Sequence, residues 1–463
     1  MRQLDRKFSR AAQCATKRLA TPLLLILCGL SVLATVSCHS NLSGRANEPV
    51  TLTFVGWGPA SVTESETARA VLADFSRKTG IQVRYIAGPE SMTDRLQLYL
   101  HWLQKKSPTP DVFYMDVVWP GLLADYMIDL RPSLEKESQA LWPAAVQNHT
   151  VNGRLIAMPY NVEVGVLHYR TDLLKKYGYA HPPETWEDLA KMAAKTQAGE
   201  RAAGNRDFWG FVWQGAAYEA LTCNALEWQA SSGGGKIIED DGTISVNNPQ
   251  TIKAMKMARS WIGTISPPSV LAFMETDGRN VWDSGNAAFR RDWVWRGSPA
   301  GTRPRNRVNG MFNMSLLPSG GAFPASVLGG QSLAVSKYSN HPREAIELVR
   351  YLTSRDTQLE LWRHESMLPA IREFYEDPTY LAQRPDLTGI RQLLTGGTIA
   401  RPSTVTGTHY DEVSRAYFTA VHSVLTGETS AEKAMANLES ELVKITGFKP
   451  GKPTSLKSAA SSP

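Results

Sequence analysis

The sequence Asp111-Val-Phe-Tyr-Met-Asp116-Val-Val-Trp119-Pro-Gly-Leu-Leu-Ala-Asp125-Tyr decides the fold of this chain. Its first half is apolar, β-branched and aromatic, which predicts a short buried strand, and its second half has the spacing of a helix start. Asp116 therefore stands where the strand ends, and open α/β sheets bind ligands just outside the carboxyl ends of their strands. A carboxylate there accepts hydrogen bonds from vicinal hydroxyls, and a nearby indole covers apolar C–H surface. The pattern indicates a site for a polyhydroxylated ligand; the alternative is that Asp116 only caps the helix.

The segments before this stretch predict a parallel sheet. Polar and apolar side chains alternate at the start of residues 51–56, and the segment ends at a glycine, which is typical of a first strand. Residues 81–86 predict a second strand. Apolar residues recur at helical spacing over 62–79 and 94–106, so a helix is expected after each of these strands. This βαβαβ order predicts parallel strands with helices on both faces. About 425 residues remain after the first 38, too many for one core, so two domains are expected.

The rest of the chain continues the mixture of strands and helices. We expect strands at 153–170, 208–215, 286–295 and 329–337, a hairpin at 237–246 that turns at Asp241-Gly242, and helices that start at Thr185 and span 341–353 and 410–425. Residues 449–463 are mostly Lys, Pro, Gly, Ser and Ala, which is typical of a disordered tail.

The first 38 residues predict an export signal. Six Lys or Arg side chains precede a short apolar run over 22–34, which is too short to remain as a membrane-spanning helix. The small residues before Cys38 are typical of a bacterial lipoprotein signal, so we expect Cys38 to be the acylated first residue. Cleavage nearby that leaves a soluble periplasmic protein is the alternative. The protein is thus expected in the periplasm or at the outer face of the inner membrane, with a lipid anchor as its only membrane attachment.

Charge and cysteine content argue against several classes of protein. The formal net charge of +6 falls to +1 without residues 1–38, which carry six Lys or Arg and one Asp. No long basic block remains, so nucleic-acid binding is not expected. Cys223 is the one cysteine beyond the signal, so it has no internal disulfide partner and is interpreted as a small buried side chain. The sequence has no Walker A motif, no His pair at metal spacing and no Cys-x-x-Cys, and no cofactor is expected.

Several blocks carry a family resemblance. The most specific runs from Pro182-Pro-Glu-Thr-Trp-Glu-Asp-Leu through Gly199-Glu-Arg to Phe208-Trp-Gly-Phe-Val-Trp-Gln-Gly-Ala-Ala-Tyr218. Residues 111–119, Gly285-Asn-Ala-Ala-Phe289 and Leu328-Gly-Gly330 add to it. In this order the blocks resemble the extracytoplasmic solute-binding proteins of sugar ABC importers, and among them the trehalose/maltose-binding proteins. The resemblance covers roughly residues 50–445.

This resemblance implies an α/β, two-lobed periplasmic-binding-protein fold with discontinuous lobes and a ligand cleft between them. The implied N-terminal lobe comprises residues 49–160 and 312–355, and the C-terminal lobe comprises residues 161–311 and 356–448. The chain would cross between the lobes near 159–165, near 311–317, and between the helix at 341–354 and Leu368.

The resemblance also implies which residues face a sugar. By their positions in the motifs they are Glu64, Arg95, Asp116, Asn161, Glu163, Tyr218, Glu275, Trp293, Trp295, Gly330, Gln331 and Arg401. Carboxylates accept hydrogen bonds from hydroxyls, guanidinium groups donate them and indoles stack on sugar rings. Besides Asp116, four of them have a stated structural alternative: Arg95 as a surface salt-bridge partner, Glu64 as a helix cap, and Trp293 and Trp295 as core.

Three positions depart from the family pattern. Asn161 stands where an aromatic residue is usual, Gln331 where Trp is usual, and Glu163 where Asp is usual. Two stacking faces are thus exchanged for amides, which leaves the disaccharide open: trehalose first, then maltose, sucrose or another α-glucoside. The implied partners are the transmembrane subunits of an ABC permease with a separate ATPase, and a monomer is expected.

An enzyme is the alternative class. Glu64, Asp116, Glu163 and Glu275 could supply the paired carboxylates of a periplasmic glycoside hydrolase, and the sequence sets no distance between them. The sequence has no Gly-x-Ser-x-Gly nucleophile motif. The resemblance favours binding without catalysis.

Overall fold

The structure is a computed structural model that describes residues 49–56, 65–89, 92–294 and 307–454. Several predicted features lie outside these ranges, including the signal segment 1–38, the lipidation site Cys38, and the site residues Glu64 and Trp295. Within the ranges, two main β-sheets are each covered by helices.

The first sheet has five strands, and the strand that ends at Asp116 is its middle one. In spatial order the strands are β2 (Gln82–Ala87), β1 (Thr51–Gly56), β3 (Val112–Asp116), β12 (Gln331–Val335) and β6 (Met158–Pro159). β1 pairs in parallel with β2 and β3, whereas β12 pairs antiparallel with β3 and β6. The predicted βαβαβ unit is confirmed. Residues 112–115 of β3 are buried, as expected for a strand covered on both faces, and Asp116 is partly exposed.

The second sheet is built around one long strand. In spatial order its strands are β13 (Thr398–Ile399), β11 (Ser326–Gly329), β7 (Glu163–Arg170), β9 (Ala287–Trp293) and β8 (Trp209–Val212), and β10 (Phe312–Ser315) pairs with β7. A separate small hairpin consists of β4 (Thr150–Val151) and β5 (Arg154–Leu155). β7 starts immediately after the chain leaves the first sheet, so its first residues lie beside the boundary between the two sheets.

Helices enclose both sheets. The helices that pack in the first core are α1 (Glu66–Thr79), α2 (Met92–Gln104), α3 (Pro120–Leu123), α4 (Arg131–Ser138), α5 (Pro143–Asn148), α11 (Pro342–Leu352), α12 (Arg355–Glu365), α13 (Pro378–Gln383) and α14 (Leu387–Gln392). The others are α6 (Thr171–Lys176), α7 (Trp186–Ala202), α8 (Glu219–Ser231), α9 (Pro249–Trp261), α10 (Glu275–Asp283), α15 (Ser403–Thr406), α16 (Tyr410–Thr426) and α17 (Ala431–Thr446). Across the four described ranges, no helix is long and apolar enough to cross a membrane.

Local capping signals set helix starts in the way the sequence predicts. The Thr185 hydroxyl accepts a hydrogen bond from the Asp188 N–H at 3.1 Å, and α7 begins at the next residue. The Ser65 hydroxyl accepts from the Ala68 N–H at 3.0 Å, and α1 begins at Glu66, whereas the predicted start at residue 62 lies outside the described residues. A side-chain cap satisfies an amide that has no partner inside the helix, which is why these boundaries are fixed locally.

The strand pairings correct two predicted lobe boundaries. β10 and β11 both pair with β7, so residues 312–329 belong to the second sheet and the chain crosses back at Gly330, not at 311–317. α12 packs against α1, so its residues belong with the first sheet and the boundary at 356 is also wrong. Both errors have one cause. A crossing made within a continuous apolar segment has no linker composition that the sequence could reveal.

Gly330 is required at this crossing. Its φ is +117°, and a Cβ at this position would lie 2.5 Å from the Asn161 carbonyl oxygen. We expect Gly330→Ala to lower the free energy of unfolding by roughly 2–5 kcal/mol, since left-handed backbone costs about 1–2 kcal/mol and overpacking about 1–3 kcal/mol. Denaturant unfolding measures the loss. The control is Gly263→Ala, where φ is +77° and no atom lies within 4 Å of the added Cβ. Equal losses in the two variants would show that the contact with Asn161 adds nothing.

The predicted disordered tail is wrong at its start. The Ile244 N–H donates to the Lys449 carbonyl at 2.9 Å, and the Gly451 N–H donates to the Ile244 carbonyl at 3.0 Å. Ile244 also pairs with Ile238 across the predicted turn at Asp241-Gly242, where Gly242 has a φ of +86°. Residues 449–451 are therefore ordered beside this hairpin, because backbone pairing outweighs their polar composition. Residues 455–463 lie outside the described ranges.

Candidate functional site

Asp116 is the last residue of β3, the middle strand of the first sheet, and lies opposite Gln331 of β12. One carboxylate oxygen, Oδ1, accepts a hydrogen bond from the Val118 N–H at 3.1 Å. Helix α3 begins later, at Pro120, and no side chain caps it, so the interpretation of Asp116 as a helix cap is wrong. The turn at Val118 holds one oxygen of the carboxylate, and the partly exposed side chain keeps acceptor capacity for a ligand.

Charged groups from both sheets influence this carboxylate. Burial raises the pKa of Asp116 above its ordinary value. Among charged side chains, Arg401 has the largest effect and lowers this pKa, Glu219 raises it, and Arg95 lowers it. Arg401 follows β13 and Glu219 opens α8, so groups that belong with the second sheet act on a residue of the first sheet.

Glu219 and Arg401 form a hydrogen-bonded network in which the Arg401 side chain is buried and the Glu219 side chain is 20% exposed. Arg401 is 6% exposed and donates from Nη1 to Glu219 Oε1 at 2.6 Å, and a longer contact of 3.5 Å joins Nη2 to the Leu328 carbonyl. Glu219 also accepts hydrogen bonds from the Tyr410 hydroxyl and, at 2.6 Å, from the Ser414 hydroxyl. No sequence motif predicts a role for Glu219, although it directly follows the motif that ends at residue 218.

Arg95 is an internal residue. It is 3% exposed on α2 and donates from Nη1 to the Pro89 carbonyl at 3.0 Å. Its guanidinium carbon lies 5.3 Å from the ring centroid of Trp119, which is 2% exposed and packs edge-on against Tyr99. The interpretation of Arg95 as a surface salt-bridge partner is wrong. Trp119 is core, so the indole near Asp116 serves to hold Arg95 and does not offer a face to a ligand.

Three of the predicted site residues meet where the chain crosses between the sheets. Asn161 Oδ1 accepts from the Gln331 N–H at 2.8 Å, and Gln331 Oε1 accepts from the Tyr114 hydroxyl at 3.2 Å. Asn161 Nδ2 lies 3.5 Å from Glu163 Oε1. Burial raises the pKa of Tyr114 well above its ordinary value, and the nearby Glu163 charge raises it further. Both amide oxygens are engaged within the protein, so the amide nitrogens are the groups that can donate to a ligand.

Trp293 ends β9 beside this crossing and is partly exposed. Its ring lies against Gly329, because a Cβ at Gly329 would be 2.7 Å from a ring carbon. The Arg291 guanidinium lies 4.4 Å from the Trp293 centroid and is itself bound by Glu227, at 2.5 and 2.9 Å. A buried ion pair thus fixes the indole, while part of the indole stays accessible.

Tyr218 and Glu275 come from two distant motifs and are in contact. The Tyr218 hydroxyl donates to Glu275 Oε2 at 2.7 Å. Burial and the negative charge of Glu275 both raise the pKa of Tyr218 above its ordinary value. Tyr218 precedes α8, the helix that Glu219 opens, and so stands next in sequence to the Arg401 network.

A half-open cavity of about 360 Å³ lies elsewhere, between the second sheet and α14. Val166 of β7 lines it and points to the opposite face of the strand from Glu163, because side chains alternate along a strand. None of the predicted site residues lines this mostly apolar cavity. No group of three or more His, Cys, Asp or Glu side chains in the described part of the chain is placed to hold a metal ion. Carboxylates, guanidinium groups, amides and one partly exposed indole therefore make up the candidate site, a set suited to a neutral polyhydroxylated molecule.

Known proteins are similar to this chain in sequence and fold. Residues 59–359 match the family described as bacterial extracellular solute-binding protein. The chain is 44% identical over 375 residues to a probable ABC transporter-binding protein of Deinococcus radiodurans, which covers 81% of this chain and 89% of that relative. The maltose-bound MalE3 of T. maritima has a TM-score of 0.76 and 32% identity, over 86% of this chain and all of that one.

A more distant structure has the same fold. The GacH receptor of Streptomyces glaucescens, solved unliganded and with acarbose, has a TM-score of 0.73 at 20% identity, over 87% of this chain and 100% of that one. The predicted two-lobed periplasmic-binding-protein fold is therefore confirmed, with mixed α/β sheets in both lobes. With a family match over most of its length and a relative 44% identical, the chain belongs to the bacterial extracellular solute-binding protein family.

Proposed function

We propose that this protein is the solute-binding component of a sugar ABC importer and binds an α-linked glucose disaccharide between its lobes. It would deliver the sugar to the transmembrane subunits of a permease that is driven by a separate ATPase. The observation that carries the proposal is that Arg401, which belongs with the second sheet, approaches the end of β3: its Nη2 lies 3.5 Å from the Leu328 carbonyl, three residues before Gln331, the strand partner of Asp116. The maltose in the MalE3 structure, at 32% identity, supports the ligand class.

The chemistry of these groups suits a neutral sugar. Asp116 retains capacity to accept hydrogen bonds from hydroxyls, and buried Arg401 has a donor, Nε, that makes no hydrogen bond within the described residues. Partly exposed Trp293 can stack on the C–H face of a glucose ring. Hydrogen bonds to charged groups contribute about 1.5–3 kcal/mol each, so three of them at the upper end of this range approach the roughly 8 kcal/mol of micromolar affinity.

The amides at the crossing bear on which disaccharide is bound. Asn161 and Gln331 replace aromatic faces with hydrogen-bond donors, so the second sugar unit would be held by its oxygen atoms more than by stacking. Such a site rejects an analogue that lacks the matching hydroxyl, because its own polar groups would then lose their partners. Trehalose, maltose and sucrose are the candidate ligands. Because the similar MalE3 structure contains maltose, we rank maltose equal to trehalose.

Location follows from the family and the sequence. The family is extracellular, and we infer export through the segment 1–38, with Cys38 acylated and a monomeric mature protein on the outer face of the inner membrane. A lipid-modified amino-terminal peptide is the expected result of mass spectrometry on protein extracted from membranes. An unmodified terminus beyond Cys38 would leave the soluble periplasmic form.

Titration calorimetry with trehalose, maltose and sucrose tests the proposal. We expect saturable binding of at least one of them and no glucose release over hours of incubation, because the site holds a sugar without activating a bond. Cellobiose, the β-linked isomer of maltose, is the control and should bind more weakly. Steady glucose release by the pure protein would favour the hydrolase alternative, and failure to bind any of the three sugars would contradict the proposal.

A further inference from the structure

Glu219 binds the guanidinium of Arg401 and lies just outside the sequence motif that ends at Tyr218. We propose that Glu219 is a positioning residue, which holds the Arg401 guanidinium ready for the ligand and keeps it from pairing with Asp116. This inference rests on the proposed function, since it assigns a role to a residue behind the sugar site.

The hydrogen bonds of Glu219 mark it as a support and not as a ligand-binding acceptor. Oε1 accepts from Arg401 Nη1 at 2.6 Å and from the Tyr410 hydroxyl, and Oε2 accepts from the Ser414 hydroxyl at 2.6 Å. Both oxygens are thus engaged by groups of α16 and of the segment after β13. Glu219 is also the first residue of α8, where the helix dipole favours a negative charge. These contacts fix the carboxylate in one orientation.

Arg401 is fixed but not saturated. Besides the bond from Nη1, its Nη2 makes a long contact of 3.5 Å to the Leu328 carbonyl and no other hydrogen bond to a described residue. Nε is buried and makes no hydrogen bond within the ranges that the structure describes. The backbone of Arg401 is held as well, because its carbonyl accepts from the Ser403 N–H at 2.8 Å. A buried guanidinium N–H without an acceptor is unfavourable, and a sugar oxygen would relieve that cost.

Asp116 is the competing partner of Arg401. Arg401 contacts the Leu328 carbonyl, three residues before Gln331, the strand partner of Asp116, yet no ion pair within 4.0 Å joins Arg401 to Asp116 in the described part of the chain. Glu219 supplies the negative charge that Arg401 needs, so Asp116 keeps its acceptor capacity. Without that charge, the Arg401 side chain would turn toward Asp116 and form an ion pair across the cleft. One substitution behind the site would then remove both a donor and an acceptor from the sugar.

Glu219→Gln, which preserves shape and removes charge, tests this role. With maltose as the probe, we expect calorimetry to show at least tenfold weaker binding than in the unchanged protein. The matched control is Glu200→Gln on α7, because Glu200 also accepts from a cation and a tyrosine, Lys176 Nζ at 2.6 Å and the Tyr177 hydroxyl at 2.8 Å. Glu200→Gln should bind maltose within twofold of the unchanged protein. Maltose binding by Glu219→Gln within twofold would overturn the proposal.

A double-mutant cycle separates positioning from a general structural role. Arg401→Gln should itself weaken maltose binding, and adding Glu219→Gln to it should change the affinity by less than twofold, since there is no longer a guanidinium to position. If Glu219→Gln weakens binding equally in both backgrounds, Glu219 acts on the sugar or on the fold and the proposal is wrong.

A measurement without ligand keeps the inference separate from the proposed function. In ¹H–¹⁵N spectra of the sugar-free protein, the Arg401 Nε–H signal, assigned by its loss in Arg401→Gln, should be protected from solvent exchange. It should broaden or shift in Glu219→Gln but not in Glu200→Gln. An unchanged signal in Glu219→Gln would contradict the positioning role. Failure of every disaccharide to bind the unchanged protein would contradict the proposed function, and this spectrum would still decide the role of Glu219.

Discussion

Asp116→Ala is expected to weaken disaccharide binding by roughly a hundredfold or more, with no loss of stability in the sugar-free protein. A carboxylate can accept two hydrogen bonds from hydroxyls, each worth about 1.5–3 kcal/mol, and a loss of about 3 kcal/mol exceeds a hundredfold in affinity. The side chain of Asp116 is partly exposed and makes one hydrogen bond, to the Val118 N–H, so little packing is lost. Titration with sugar and thermal unfolding without it measure the two effects.

The raised pKa of Asp116 predicts how the folding stability of the protein depends on pH. Burial raises this pKa, so the folded protein holds the ionised carboxylate less well than the unfolded chain does. Stability therefore falls as the pH rises from below the ordinary carboxyl pKa to above the raised one. Asp116→Asn lacks this titration, so it should be more stable than the unchanged protein at neutral pH and lose that advantage in acid. Thermal midpoints across the acidic range check the expectation.

Trp119→Ala is the contrasting variant. Trp119 is 2% exposed and packs against Tyr99, so its truncation should cost about 3–5 kcal/mol of folding free energy. The folded fraction should lose less affinity for sugar than Asp116→Ala does, because the indole only supports Arg95. Binding by Asp116→Ala within threefold of the unchanged protein would show that the carboxylate does not touch the ligand, and the site assignment around it would fail.

Glu227→Gln is expected to destabilise the sugar-free protein by about 3–5 kcal/mol. Glu227 binds Arg291 through two short hydrogen bonds, and the two side chains are 0% and 1% exposed. Removing one charge leaves the other buried and uncompensated, a change that costs about that much. Arg291 also packs against Trp293, so the variant should weaken sugar binding as well. Denaturant unfolding and maltose titration on one preparation give both numbers.

The double variant Glu227→Met with Arg291→Met is the control for this ion pair. Replacing both charges by apolar side chains of similar volume is often close to neutral, so the pair should recover much of the stability that Glu227→Gln alone loses. If the double variant loses as much free energy of unfolding as the two single variants lose together, packing and not charge stabilises these two positions. A loss below about 1 kcal/mol in Glu227→Gln would contradict the expected buried-charge cost.

Local patterns predicted much of the fold because their causes are local. Apolar spacing over Ala68, Val71, Leu72 and Phe75 matches the buried face of α1. The run at 112–115 is the buried β3, and Cys223 is 1% exposed on α8. Each of these features depends on residues only a few positions apart in the chain, so the periodicity of the sequence predicts it directly.

The sequence by itself determined the order of strands and helices, the family and the residue types of the candidate site. Tertiary structure alone decided which of these residues meet. Glu219 and Arg401 are 182 positions apart, and Tyr114 and Gln331 are 217 apart, so no local spacing relates them. The crossing at Gly330 likewise depends on the close approach of Asn161 from another segment. Contacts of this kind form because the two sheets bring distant strand ends to one edge, and that placement is a property of packing, not of any single stretch of sequence.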